Sequence, residues 1–457
     1  MQINNDICQT TTSNPIIKFN AKIIIRMKNT FLFLILLGLT FQTFAQSEPN
    51  IDQLADRVES KVIEWRRDIH QNPELSNREF RTQKLIAAHL KSLGIEVQTD
   101  IAHTGVKGVL RGGKPGPVVA LRADMDGLPV KERVEIPFAS KVKSTYLGKE
   151  VGVMHACGHD THVAILMGVA EILSDIRDQL KGTIVFIFQP AEEGAPPGEE
   201  GGAKLMIKEG VLENPTVDVA FGLHISSGLE VGKIRYKPGG AMAAADRFVI
   251  KVKGQQAHGS RPWSGVDPIV IGSQIVMGLQ TIISRQTELT KEAAVITVGK
   301  FTAGVRNNII PEEAELVGTI RTLDMEMQDM IHEKIRKTAT LIAEAGGATA
   351  EVDIQIGYPV TYNNPDLTRK MLPTLFETAG EDNVLVSLPI TGAEDFSFYA
   401  QKVPGLFFFL GGMEKDQDAL TAPGHHTPDF YVSEDGLKLG VRSLCNLALD
   451  YMEANSK

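Results

Sequence analysis

The 457-residue sequence predicts an α/β fold, a central mixed sheet flanked by helices and interrupted by a smaller ferredoxin-like α+β unit. Two observations carry the fold. Short, largely apolar runs at 118–121, 183–188, 217–223 and 406–410 alternate with helical stretches, as strands buried in an α/β layer do. Between 240 and 358 the pattern changes to the order βαββαβ, and the segments before and after it belong to one layer. A third observation is chemical, because the strand ends and one loop carry residues of metal-binding type. At 43% hydrophobic and 23% charged the composition is that of a globular protein, long enough for two domains. The formal charge is −9 with both signs dispersed, which argues against nucleic acid as a partner.

Residues 1–45 are expected to be a leader outside the fold. A positive segment begins at Met27-Lys28-Asn29, residues 31–39 are almost wholly apolar, and Thr43-Phe44-Ala45 ends in the small residue of a cleavage site. The run is short for a bilayer span and no stop-transfer pattern follows. The reading is export to the periplasm or the medium with no stable membrane anchor. Met27 is an alternative start, since residues 1–26 hold no recognisable element. Of three cysteines, Cys8 leaves with the leader and Cys445 falls in an apolar helical stretch, where a buried free thiol is expected. A Cys157–Cys445 disulfide would destroy the metal site described next and is set aside.

Helices are expected at 51–69, stopping before Asn72-Pro73, and at 78–93, closing at Gly94. The strand at 118–121 delivers Arg122-Ala123-Asp124-Met125-Asp126 to its C-terminal end, where ligands collect in open α/β sheets. The competing reading is that these carboxylates cap the following turn. Next comes His155-Ala156-Cys157-Gly158-His159-Asp160-Thr161-His162, with three imidazoles, a thiol and a carboxylate in eight positions. Cys157 and His159 are two apart and converge on one ion from a loop or tight turn, not from one helix. The helical stretch at 163–173 puts Cys157 near a helix N-terminus, where thiolate is favoured. A structural zinc knuckle or a cluster of buried histidines is the rival reading, but no second Cys/His pair of similar spacing follows.

The strand at 183–188 ends in Gln189-Pro190-Ala191-Glu192-Glu193-Gly194. Neighbouring side chains diverge there, so one glutamate can hold an ion while the other handles protons. A third strand at 217–223 ends in His224. The inserted unit is expected to contain strands at 246–252, 293–301, 314–322 and 350–356 and helices at 268–287 and 325–345, the second closed by Gly346-Gly347. It carries His258 in a polar loop and Asn308 before Ile309-Ile310-Pro311, neither functional on its own evidence. A helix at 367–378, a strand at 383–388, the loop Thr391-Gly392-Ala393-Glu394-Asp395-Phe396 and a strand at 406–410 follow. The turn Pro423-Gly424-His425-His426-Thr427-Pro428 offers two imidazoles between which chemistry alone does not choose, before a last helix at 433–453.

The stretches at 122–129, 155–162, 189–194, 392–396 and 426–428 together resemble the amidohydrolase branch of the aminoacylase/carboxypeptidase metallopeptidases. That branch includes hippurate hydrolases, N-acyl-amino-acid amidohydrolases and auxin-conjugate hydrolases. The likeness runs in order through everything after the leader. It implies a catalytic domain at 46–239 and 359–457, interrupted at 240–358 by a lid and dimerisation domain. It implies metal-dependent hydrolysis of N-acyl amino acids to a carboxylate and a free amino acid. The alternatives are a dipeptidase or carboxypeptidase of the same fold, or an inactive metal-binding homologue.

Carried over residue by residue, the resemblance implies two divalent ions, zinc or manganese with cobalt or nickel as in vitro substitutes. Their implied ligands are Cys157, His159, Glu193, His224 and His426. His426 is preferred to His425 because the family's ligand directly precedes a small hydroxyl residue and Pro. Glu192 is implied as general base, and Asp124 joins it as a catalytic carboxylate. His258 matches a lid histidine that in relatives reaches a neighbouring subunit's site and helps stabilise the oxyanion, and Asn308 matches a lid position near the substrate carboxylate. A homodimer or higher homo-oligomer through the lid is implied with them. Arg122 stands where other branches place a ligand His, a loss this branch shares through its use of Cys157. Gly127 replaces a more usual alanine, and Trp263 stands where relatives often have His. His155 and His162 are left in supporting roles, and Asp160 is expected to orient an imidazole.

Overall fold

In the computed structural model, which describes residues 49–456, eight strands form one mixed sheet. The leader and Cys8 lie outside the described residues. Four strands in the middle, Lys181–Gln189, Lys114–Asp124, Val219–Glu230 and Gly405–Met413 in spatial order, run parallel. They contain the four apolar runs, except that the strand expected from 217 begins at Val219. Gly105–Arg111 and Glu96–Ile101 extend the sheet on one side, Ile234–Tyr236 and Val384–Val386 on the other. Register sets the strand ends beside one another, with Asp124 opposite Gln189 and His224 opposite Phe409.

One face of the sheet is covered by the helices Ile51–Gln71, His159–Asp175 and Leu437–Asn455. Asn50 caps the first, its side chain accepting from the Gln53 amide at 3.1 Å. Its apolar stripe, Ala55, Val58, Val62 and Ile69, turns inward. His159–Asp175 packs on the sheet beside Leu437–Asn455 and beneath Ile51–Gln71, which is why its sequence is apolar nearly all round. Cys445 is buried and free, as its apolar stretch predicts. The opposite face carries Val185, Ile187, Phe396, Tyr399, Phe407 and Phe409.

The segment from Ala244 to Tyr358 forms its own antiparallel sheet in the order Ala294–Ala303, Glu313–Thr322, Ala244–Lys253, Thr349–Tyr358. With the first and third strands central, this is the ferredoxin-like order. The helices Pro268–Gln286 and Met325–Ala345 cover one face over Phe248, Ile250, Ile275, Leu279, Ile331 and Ile335. A two-residue ladder, Ala257–His258 with Ile309–Ile310, is added to the expected pattern. The strand expected at 383–388 is shorter, because after Val386 the chain leaves the sheet and the Ile390 amide bonds to the Ala241 carbonyl at 2.9 Å. Among the described residues no helix is long and apolar enough to cross a membrane.

Candidate metal centre

Gly158 makes the turn between Cys157 and His159. Its φ is +92°, and a Cβ there would lie 2.3 Å from Ile225 Cγ2, so both the backbone and the space demand glycine. The helix begins at His159, and Cys157 sits in the turn just ahead of it. The loop expected for both residues therefore holds for Cys157 alone, because the helix expected from 163 begins four residues earlier, at His159.

Hydrogen bonds sort the histidines into two sets. His159 directs Nδ1 at the backbone carbonyl and Oδ1 of Asp126, at 3.0 and 3.2 Å, and its buried Nε2 has no hydrogen-bond partner among the described residues. His224 donates from Nδ1 to the Ile225 carbonyl at 2.6 Å, leaving Nε2 3.4 Å from Cys157 Sγ. His426 Nε2 lies 3.3 Å from the same sulfur and 3.0 Å from Glu193 Oε1. Each of these three presents Nε2 to the centre. His162 does not, because Nε2 accepts the Ile225 amide at 2.8 Å and Nδ1 faces Asp124 at 2.5 Å. His425 Nε2 accepts the Ser227 amide at 3.2 Å, which puts the proton of a neutral ring on Nδ1, the atom 3.7 Å from Cys157 Sγ. Although His425 falls within a possible donor group with Cys157 and His224 by distance, its proton closes that nitrogen to an ion. Hydrogen bonding distinguishes the two imidazoles: His426 turns Nε2 toward Cys157 and Glu193, whereas His425 turns toward Cys157 the nitrogen that carries the neutral ring's proton. His155 is buried with neither nitrogen partnered.

Two buried carboxylates hold the loop of the paired glutamates. Glu79 accepts the Ala191 amide at 3.0 Å, and Asp126 accepts the amides of Glu192 and Glu193 at 3.1 and 3.0 Å. Three successive N–H groups are thus pinned at the end of the strand. Asp124 does not line the cavity; it is fully buried between Arg122 at 2.8 Å and His162. It acts on the centre by fixing those neighbours. Arg122 is also fully used, binding Gln189 at 2.9 Å, Glu394 at 2.9 Å and Asp395 at 2.7 Å besides Asp124.

A cavity of about 350 Å³ opens over these groups, lined by Cys157, Glu192, Glu193, His224 and His426 on the polar side and by Ile225, Met242, Ile390 and Phe409 on the apolar side. Asp124, Glu394 and Asp395 pair with the buried guanidinium of Arg122, Glu192 lies near it, and Asp126 and Glu193 add two more carboxylates to the site. The charge imbalance shows in the proton affinities. Burial, then Glu394 and Glu193, raise Glu192 well above the carboxylate range. Burial, then Glu193 and Glu192, raise the Cys157 thiol. Burial opposes charge on His159, but Asp124 and Asp126 outweigh it and push the imidazole up to about 10. Excess negative charge, a bare imidazole nitrogen and a soft sulfur donor make a set that divalent cations fit. Cys157 and Glu193 each belong to two of the possible donor groups, so the donors form one continuous set.

The two lid residues stand apart from the cavity. His258 and Asn308 are exposed neighbours on the small unit, where the Gly259 amide bonds to the Asn308 carbonyl at 2.8 Å. His258 Nδ1 accepts from the Ser260 amide at 3.1 Å, leaving Nε2–H outward. Sequence reasoning assigned no role to Glu79, Gln189 or Tyr358. An acid three residues beyond Ser76 in a polar stretch gave no sign that Glu79 is buried. For Asp126 and Glu394 the signal was present, in the two-residue alternation at a strand end and in the 392–396 motif.

A parallel-centred α/β sheet with thiol, imidazole and carboxylate donors at its strand ends, and a ferredoxin-like unit inserted in the chain, defines a metal-dependent hydrolase of the peptidase and amidohydrolase class. The chain belongs to peptidase family M20/M25/M40, whose model matches residues 120–450. It is 43% identical to thermostable carboxypeptidase 2 of Saccharolobus solfataricus over 86% of this chain and 96% of that protein. It is 35% identical to the IAA-amino acid hydrolase ILR1-like 2 of Arabidopsis thaliana over 92% and 95%. With the N-acetyl-L-cysteine deacetylase of Bacillus subtilis it shares 37% identity over 83% and 85%. Among solved structures, the Bacillus subtilis YXEP protein, described as a dinuclear metal binding peptidase of the M20 family, superposes with a TM-score of 0.72 at 35% identity, covering 87% of this chain and 99% of that one.

Proposed function

We propose that this protein hydrolyses the amide bond of N-acyl amino acids, releasing a carboxylic acid and the free amino acid. The observation that carries the reading is the sorting of ring nitrogens, which leaves Nε2 of His159, His224 and His426 facing Cys157 and Glu193, with Glu192 beside them. These five side chains would hold two divalent ions, zinc or manganese. Such ions, when bound, supply Lewis acidity toward the amide carbonyl and toward water. Glu192 lines the cavity, and the positive charge of bound ions would favour its carboxylate, which takes the proton of the attacking water and passes it to the leaving nitrogen. Asp126 orients His159 and holds the glutamate loop, so base and donors move as one piece. The apolar wall of Ile225, Met242, Ile390 and Phe409 accepts the acyl group and excludes water.

His258, with Nε2–H directed outward from an exposed ladder, serves the oxyanion of a neighbouring subunit, and Asn308 beside it the substrate carboxylate. Val270 and Met277 on the helix Pro268–Gln286 and Val295 on the sheet's edge strand are exposed apolar residues, which supports association of two copies through this unit. The leader reading makes the protein exported, which N-terminal sequencing of the mature chain tests.

The experiment that tests the function is a liberated-amine screen across acetyl, benzoyl and longer-chain acyl amino acids, with metal analysis of the same sample. Turnover of these substrates by the wild type, and its near-complete loss in Glu192→Gln with metal retained, is the expected result. Near-normal activity in Glu192→Gln removes the base assignment. Cleavage of dipeptides in preference to N-acyl amino acids would favour the second reading, a carboxypeptidase or dipeptidase, which the 43% identity to a thermostable carboxypeptidase supports.

A further inference from the structure

Arg235 is a cation without a counter-charge. It lies on the short strand Ile234–Tyr236 and is half-buried, and among the described residues no carboxylate comes within ion-pair distance of it. Burial alone acts on its guanidinium, pulling the pKa below the usual value. Its Nε is buried with no hydrogen-bond partner, and its one side-chain bond is from Nη2 to the Ser226 hydroxyl oxygen at 3.2 Å. A guanidinium withdrawn from water and left unpaired is costly unless something else meets it.

Its place in the sheet says what it faces. His224, Phe409, Arg235 and Leu385 are successive register partners across four neighbouring strands, so their side chains emerge on one face in a row about 4.8 Å apart. His224 and Phe409 line the cavity, and so does Ser226, the residue that accepts from Arg235. The neighbours Ile234 and Tyr236 point the other way, into the core under the helices. Along this row one apolar side chain, Phe409, therefore stands between His224 and a positive charge; Arg235 lies just beyond the lining of the cavity and adjoins it through Ser226.

We infer that Arg235, supported by the Ser226 hydroxyl, is the specificity-determining subsite for a carboxylate at the far end of the substrate's acyl chain. The inference rests on the N-acyl amino acid reading above and narrows it to acyl groups with a few methylenes between the scissile carbonyl and a terminal carboxylate. The amino acid's own carboxylate has a different place in that reading, at Asn308 on the small unit. Arg235 belongs to the large sheet and meets the other end of the substrate. A guanidinium matches a carboxylate in two parallel hydrogen bonds, which a lysine ammonium cannot reproduce.

The test compares N-glutaryl-L-alanine with N-pentanoyl-L-alanine, which have the same acyl chain length and differ in the terminal carboxylate. Wild type should favour the glutaryl substrate in kcat/KM. The ratio should fall at least tenfold in Arg235→Gln and only partly recover in Arg235→Lys, with the change residing mainly in KM. N-pentanoyl-L-alanine against its alaninamide counterpart reads the other carboxylate, and that ratio should not depend on Arg235. If Arg235→Gln shifts both ratios alike, or neither, the subsite is overturned. Calorimetric binding of glutarate and pentanoate to the metal-loaded protein separates this from failure of the parent reading. Arg235-dependent glutarate binding without cleavage of any N-acyl amino acid upholds the subsite and removes the proposed function, whereas cleavage with equal binding of the two acids removes the subsite alone. Ser226→Ala, which leaves the guanidinium in place, should lower the glutaryl preference by a smaller factor, and it serves if Arg235→Gln fails to fold.

Discussion

The hydroxyl of Tyr358 donates to the backbone carbonyl of Glu192 at 2.6 Å, tying the last residue of the small sheet to the loop that carries the proposed base. Tyr358 also lines the cavity. Tyr358→Phe leaves a buried carbonyl unpaired, a cost of about 1–3 kcal/mol. If most of it falls on the position of Glu192, kcat should drop roughly tenfold with KM little changed. Steady-state kinetics at saturating metal check this, and a rise in KM with normal kcat would place the hydroxyl on the substrate instead.

Arg122 offsets Asp124, Glu394 and Asp395 in a region closed to water. Arg122→Met leaves those carboxylates facing one another, and breaking a buried ion pair from one side costs about 3–5 kcal/mol. The variant should lose that order of stability in urea unfolding. Arg122→Lys should recover little, because its ammonium cannot serve four acceptors spread over a planar fork. Wild-type stability in Arg122→Lys would show that only the charge matters.

The parts of this architecture visible in the sequence are those with a local period or spacing. The apolar runs gave the parallel strands, the alternation in 246–252 and 350–356 gave the small sheet, and the two-residue spacing of Cys157 and His159 gave the turn. The ladder at Ala257–His258 and Ile309–Ile310 is too short to have a period. What stayed hidden joins residues remote in sequence. Tyr358 meets Glu192 across 166 positions and Glu79 meets Ala191 across 112. Residue chemistry left the division between His425 and His426 open while the resemblance preferred His426, and the hydrogen bond that distinguishes the two rings comes from the Ser227 amide, 198 positions away.

Gly158 tests the turn itself. Gly158→Ala must hold a left-handed backbone and push against Ile225, and strain of this kind costs about 1–3 kcal/mol before the clash is counted. The expected result is lower thermal stability together with reduced metal content, since Cys157 and His159 lie on either side of the strained residue. Metal analysis and a melting curve on the same preparation check it. Lower stability with full metal content would mean that the donors tolerate a shift of the turn.

Glu79 supplies a pH dependence with a definite sign. It is fully buried, its Oε1 accepting the Ala191 amide and its Oε2 the Thr104 hydroxyl, with no cation paired to it among the described residues. Burial, and then the charge of Asp126, push its carboxyl up to about 8. In the unfolded chain a glutamate titrates near about 4.3. Between those values the folded protein holds a proton that the unfolded chain has lost. The stability this proton contributes is complete below about pH 4 and is lost as pH rises through about 8. Glu79→Gln keeps an oxygen for the Ala191 amide and cannot ionise. Its urea midpoint, measured on metal-free protein from about pH 5 to 9, should decline less than that of the wild type and exceed it at the alkaline end. An unchanged decline in Glu79→Gln would assign the titration to another group, because the amide contact that fixes the glutamate loop is the same in both proteins.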